Sequence, residues 1–178
     1  PPLAMQGQEI VVNWTAVDTA SSYTLQRKAS TDAGWTQVYS GQALSFSETA
    51  GAWTAVQYRV KATGEEADSA WATSGEIPVV ALVISGQDGD LGTLVNDVPY
   101  SVSSDTGNQI SLELRVNGAL WTALEVSSGY AQSIPVIDLP TGAGTIDILA
   151  TVQASTGAVS AARAWTYTKT PVTTSAGT

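Results

Sequence analysis

The sequence contains no cysteine and no histidine, a single phenylalanine and only seven lysines and arginines in 178 residues. Without cysteine there are no disulfides and no thiolate metal sites, so stability has to come from packed apolar surface. That absence suits a bacterial or phage polypeptide better than an animal ectodomain, whose small secreted domains usually carry disulfides. Without histidine the commonest general base and imidazole ligand are missing, and without cysteine so is the thiol nucleophile. Ser–Lys and paired-carboxylate mechanisms remain formally open. No serine sits in a nucleophile elbow, however, and Lys28, Lys61 and Lys169 fall on outward strand positions or near a terminus. The expectation is therefore no enzyme and no catalytic residue.

Positive charge is scarce throughout. Four cations face eight carboxylates in residues 1–78, and three face eight in residues 79–178, which gives the net charge of −9. Such a surface repels phosphate backbones and anionic lipid, so neither nucleic acid nor membrane is an expected partner. Apolar runs are short as well. The longest, Ile77 to Ile84, is interrupted by Pro78 and falls far below the ~20 residues of a transmembrane helix. The first residue is Pro1, with no initiator Met or leader-like segment, and the chain is expected to be a piece of a longer polypeptide.

What is present is period-two alternation. Ile10, Val12 and Trp14 share one face of a segment whose other face carries Val11, Asn13 and Thr15. Tyr23, Leu25 and Arg27 alternate with Thr24, Gln26 and Lys28; Val56, Tyr58, Val60 and Ala62 alternate with Gln57, Arg59 and Lys61. These are half-buried antiparallel strands. Turn signals separate them at Asp18–Ser22, Asp32-Ala33-Gly34, Ser40-Gly41 and Thr63-Gly64. The pattern restarts after Pro78, with strands expected at Val79–Ile84, Val98–Ser103, Ile110–Val116, Ala119–Val126, Thr145–Gln153 and Val159–Thr168. Asn117-Gly118 between two such runs predicts a tight hairpin, because both residues accept positive φ. Ser155-Thr156-Gly157 predicts another turn, and Glu65-Glu66 with Asp68 a solvated acidic loop. The fold class is all-β, two β-sandwiches in tandem, with domains at 1–77 and 78–169 and a Thr/Ser/Gly-rich tail at 170–178.

Residues 8–77 resemble a fibronectin type III domain. The resemblance rests on Trp14 ending the second strand, Tyr23-Thr-Leu25-Gln-Arg27 as the third, and Trp35-Thr-Gln-Val-Tyr39 as the next. Phe46 on the fifth, Val56 to Ala62 as the sixth, and Ser69-Ala-Trp71 leading into the last complete it. It implies a core plugged by Trp14, a hydroxyl-anchoring tyrosine corner on the strand of Tyr58, and a spacer or binding role. Residues 79–169 resemble a second immunoglobulin-like sandwich. Its loop Ser85-Gly-Gln-Asp88-Gly-Asp90-Leu-Gly92, following a fibronectin-like domain, is similar to an arrangement in virion surface proteins of bacteriophages infecting Gram-positive bacteria.

Two sets of residues are candidates for binding. Asp88, Asp90 and Asp97 offer oxygens of the kind Ca²⁺ takes, although the twelve-residue loop and terminal Glu of an EF-hand are lacking. The competing reading is a Gly/Asp turn in which the carboxylates cap backbone amides. Trp53, Trp121 and Tyr130 are the candidates for stacking on sugar rings, against the reading that large aromatics pack sandwich cores. No other cofactor is expected. Asn13-Trp14-Thr15 matches a glycosylation sequon and is read as coincidence in a Cys-free chain. The sequence thus suggests a non-catalytic module on a virion surface, in a tail or head-decorating protein. Its expected partners are other virion proteins, further copies of itself, and host cell-surface glycans. The alternative is a spacer or binding module of a secreted bacterial carbohydrate-active enzyme or a surface adhesin.

Overall fold

A computed structural model describes residues 3–65, 67–154 and 156–171. Glu66 of the acidic loop, Ser155 of the last turn, and residues 172–178 of the tail lie outside the described residues. Sixteen strands and one 3₁₀ turn make up the regular structure of the described residues, so the chain is all-β. Two compact units divide between Ala81 and Leu82. The sequence put the junction at 77/78 and read Val79–Ile84 as one strand of the second domain. In the structure Ile77–Val80 belongs to the first unit, because it pairs with two of that unit's strands. A new strand then begins at Leu82.

The first unit contains β1 (Ala4–Met5), β2 (Glu9–Asn13), β3 (Ala20–Ala29), β4 (Thr36–Gly41), β5 (Ser45–Thr49), β6 (Ala55–Gly64), β7 (Ala72–Thr73) and β8 (Ile77–Val80). One sheet runs β1-β8-β6-β3-β4, with β7 also on β6, and β2 and β5 form the other. The β1–β8 pairing is parallel and aligns Ala4 with Val79. Alternation sorts the side chains. Ile10, Leu25, Ala29, Val56 and Tyr58 are buried in a shared core, while Gln57, Arg59 and Lys61 take the opposite face of β6. Trp14 is only partly buried; it packs against this core, with Tyr23 and Tyr39 at ring-centroid separations of 6.0 and 5.7 Å.

Polar groups also cross this sandwich. Glu48 on β5 accepts the hydroxyl of Tyr58 at 2.7 Å and the Arg27 Nη1 at 2.9 Å. Arg27 further pairs with Asp32 and lies 4.6 Å over the Trp53 ring. Tyr58, on the strand where the resemblance implies a hydroxyl-anchoring corner, is thus tied to the opposite sheet through a carboxylate.

The second unit contains β9 (Leu82–Gly86), β10 (Asp90–Thr93), β11 (Val98–Ser104), β12 (Ile110–Val116), β13 (Ala119–Val126), β14 (Tyr130–Ile134), the 3₁₀ turn Val136–Asp138, β15 (Gly142–Ala154) and β16 (Gly157–Lys169). Its sheets are β10-β16-β15-β12-β13 and β14-β11-β9. The hairpin joining β12 to β13 turns at Asn117 (φ 50°) and Gly118 (φ 78°), the mirror-image geometry that suits the twist of the strands. Asn117 Oδ1 also accepts the Thr145 amide at 2.8 Å, tying the turn to β15. The core is aliphatic from Ile110, Leu112, Leu114, Ile146, Ile148 and Val152, and closes on Trp165 and Tyr167. Gly86 leaves room for Trp165, since a Cβ there would sit 2.8 Å from the indole.

Lys169, read as outward or terminal, is 8% exposed. It falls two residues beyond Tyr167 on the inward side of β16, so alternation carries it into the interior. Its Nζ donates to the carbonyls of Ile137 and Leu139 at 2.8 and 2.6 Å, which satisfies the buried ammonium without a carboxylate.

Replacing Glu48 by Ala leaves a half-buried guanidinium and a buried phenol with lost partners. The expected cost is about 2–4 kcal/mol in urea unfolding followed by tryptophan fluorescence, against about 1 kcal/mol for Tyr58→Phe.

Candidate functional site

Of the three aromatics put forward for sugar stacking, one belongs to the first unit and two to different sheets of the second. Trp53 belongs to the core of the first unit and is 9% exposed. Trp121 is 40% exposed on β13, at the edge of the five-stranded sheet. Tyr130 begins β14 in the other sheet of that unit, with its ring 6.4 Å from that of Tyr100.

The three aspartates are each engaged by the protein itself. Asp88 pairs with the Nη2 of Arg163. Asp90 Oδ1 accepts the Gly92 amide at 2.9 Å and the Thr166 hydroxyl at 3.1 Å. Asp97 Oδ1 accepts the amide of Val136, at the start of the 3₁₀ turn, at 2.9 Å. Among the described residues no three His, Cys, Asp or Glu side chains converge as a metal site. Turn-capping accounts for Asp90 and Asp97 without a cation.

A more organised constellation lies on the outer face of β3 and β6. The guanidinium of Arg59 is 4.4 Å from the centroids of both Trp35 and Trp71, so it is held between two indoles. Lys61 Nζ lies 5.5 Å from the Trp71 ring. Register explains the centre: Gln26 is directly opposite Arg59, and its Oε1 accepts from Nε at 2.8 Å and Nη2 at 2.6 Å. Two serines place Trp71. Ser69 and Ser74 donate their amides to the carbonyls of Ala62 and Tyr58 at 2.9 and 2.8 Å. Their hydroxyls in turn accept the Ala62 and Tyr58 amides at 2.9 and 3.0 Å. The segment around the two-residue β7 is thereby stitched to β6 at both ends. Nearby, the hydrogen bond from Lys61 holds the Asp68 carboxyl below the usual carboxylate range, with the lysine's charge acting in the same direction.

Sequence reasoning did not find this ladder. Its available signals were the outward run Gln57, Arg59, Lys61 and the serines flanking Trp71. What no local pattern contains is the meeting of four residues from different segments, which depends on register.

Two tyrosines are electrostatically distinct. Burial, reinforced by the neighbouring Tyr130, pushes the Tyr100 phenol up to about 12. Burial and the Glu48 carboxylate carry Tyr58 higher still. Both shifts favour the neutral phenol, and that of Tyr58 donates to Glu48.

No family model matches the sequence, and no curated protein matches it. Among solved structures, it is similar to Clostridium thermocellum CbhA fibronectin(III)-like modules, at 11% identity and a TM-score of 0.36. That likeness covers 99% of this chain and 96% of the other.

Two outcomes follow from the geometry. Tyrosines with raised pKa favour the folded state while neutral, a contribution complete below their ordinary value of about 10 and lost as pH rises. For Tyr100 the loss extends through about 12, so melting temperature should fall across that window, and less so in Tyr100→Phe. Ca²⁺ at millimolar concentration should leave the melting temperature unchanged, because Asp90 and Asp97 are already used as caps.

Proposed function

We propose that the chain is a non-catalytic structural and interaction module displayed on the outside of a bacteriophage particle, in a tail-associated or head-decorating protein. The observation that carries this reading is the use made of the inward polar groups. Arg27, Glu48 and Tyr58 satisfy one another across the first sandwich, and Lys169 is satisfied by backbone carbonyls in the second. These groups tie strands together; none of them forms a nucleophile–base pair. With no histidine or cysteine and an acidic surface, the chain is suited to spacing and to surface contact. Display in many copies would convert weak contacts with host glycans into avidity, with other virion proteins or further copies of the chain as neighbours.

A second reading makes the same tandem an accessory spacer or binding module of an extracellular bacterial enzyme or adhesin. The solvent-side Trp35–Arg59–Trp71 ladder favours it equally, since both readings present that face to carbohydrate. The two separate experimentally. Antibodies against the chain should decorate intact particles in negative-stain images, and the gene should lie beside capsid, portal or tail genes. A catalytic domain or wall anchor in the same polypeptide, with no particle labelling, would replace the virion reading by the second.

A further inference from the structure

We propose that the outer face of β3 and β6, centred on Arg59 between Trp35 and Trp71, binds a carboxylated polysaccharide. The inference rests on the glycan-contact part of the proposed function and gives it a site and a ligand class.

The chain carries −9 overall, yet Lys28, Arg59 and Lys61, three of its seven cations, all project from this one face. Lys28 is opposite Gln57, Arg59 opposite Gln26, and Lys61 opposite Thr24, so cations and neutral hydrogen-bonding side chains form adjacent cross-strand rows. Lys61 is answered by Asp68. A cationic strip on an otherwise acidic molecule favours an anionic polymer over an uncharged one.

The Arg59 guanidinium is positioned to accept a ligand. Gln26 Oε1 takes Nε and one terminal nitrogen, Nη2. Among the described residues no protein acceptor takes Nη1, which leaves the Nη1/Nη2 edge of the fork for a ligand. That edge matches a planar carboxylate through two parallel N–H···O bonds. The two indoles and the Gln26 amide fix the fork before a ligand arrives, reducing the ordering cost of binding. Trp35 and Trp71 are only partly buried, so ring surface next to the fork remains available to the C–H faces of a sugar. The adjoining amide and hydroxyl groups of Gln57, Thr24 and Thr73 suit sugar hydroxyls.

The test is calorimetric titration of the full chain with polygalacturonate, alongside uncharged dextran and a polyphosphate of similar length. Polygalacturonate should bind, more weakly as salt is raised, while dextran and polyphosphate bind at least about tenfold more weakly. Arg59→Lys keeps the charge between the indoles but loses the fork, and should weaken binding about tenfold with little change in melting temperature. Trp35→Ala should weaken it comparably, and Trp121→Ala in the second unit should not. Absence of binding by the native chain would overturn the proposal, as would equal binding by Arg59→Lys. Equal or tighter binding of polyphosphate would replace carboxylate recognition with a general anion effect and count against it. Because the assay uses isolated chain, a negative result leaves particle labelling unaffected, and a failure to label particles leaves the titration unaffected.

Discussion

The Glu48 carboxylate is the group on which the first sandwich turns. It projects inward from a sheet of only two strands and meets a phenol and a guanidinium from the larger sheet. A two-stranded sheet gives little surface for packing and is marginal alone. The charge-assisted bonds to Tyr58 and Arg27 fix where β5 sits over β3 and β6, and so which residues remain on the outer face. Arg27 then stacks on Trp53, which draws that indole into the core and away from solvent.

The second unit meets the same problem with different chemistry. Its inward cations are satisfied largely by main-chain carbonyls: Lys169 by Ile137 and Leu139, and Arg163 Nη1 by that of Ile84. Trp165 donates its indole N–H to Gln87, in the loop between β9 and β10. The Trp165 bond and the Arg163–Asp88 pair hold the β9–β10 loop against β16, where the sequence offers glycines, Asp and Gln but little apolar anchor. The loop whose composition suggested a cation site is ordered by an arginine, a tryptophan and its own capping aspartate.

Much of the architecture was legible because alternation is a local property. The strands carrying Tyr23–Leu25 and Val56–Ala62 and the hairpin at Asn117-Gly118 could each be read from a few consecutive residues. The parallel pairings could not, since β1 meets β8 and β10 meets β16 with no turn between them to signal it. The junction was displaced because Ile77 to Ile84 is nearly continuous in hydrophobicity, and only the change of partners separates β8 from β9. The candidate site was the least legible part. Trp53 lies near a turn and Trp121 within an expected strand, and composition cannot tell which indole will find a cation to stack on. Trp35, Arg59 and Trp71 carry no shared spacing; cross-strand register sets Gln26 against Arg59, and the serine bonds to β6 bring Trp71 alongside.

The parallel union of β1 with β8 has a mechanical meaning for the first unit. The strand that enters it and the strand that leaves it lie side by side and point the same way. Tension applied through the polypeptide at those two ends pulls the neighbours past each other along their length. The bonds from Ala4 to Gln6 against Val79 and Val80 are then loaded together in shear, whereas adjacent antiparallel strands pulled apart from one end would release them one at a time. A module spliced into a longer chain in this way resists stretching at its own seam.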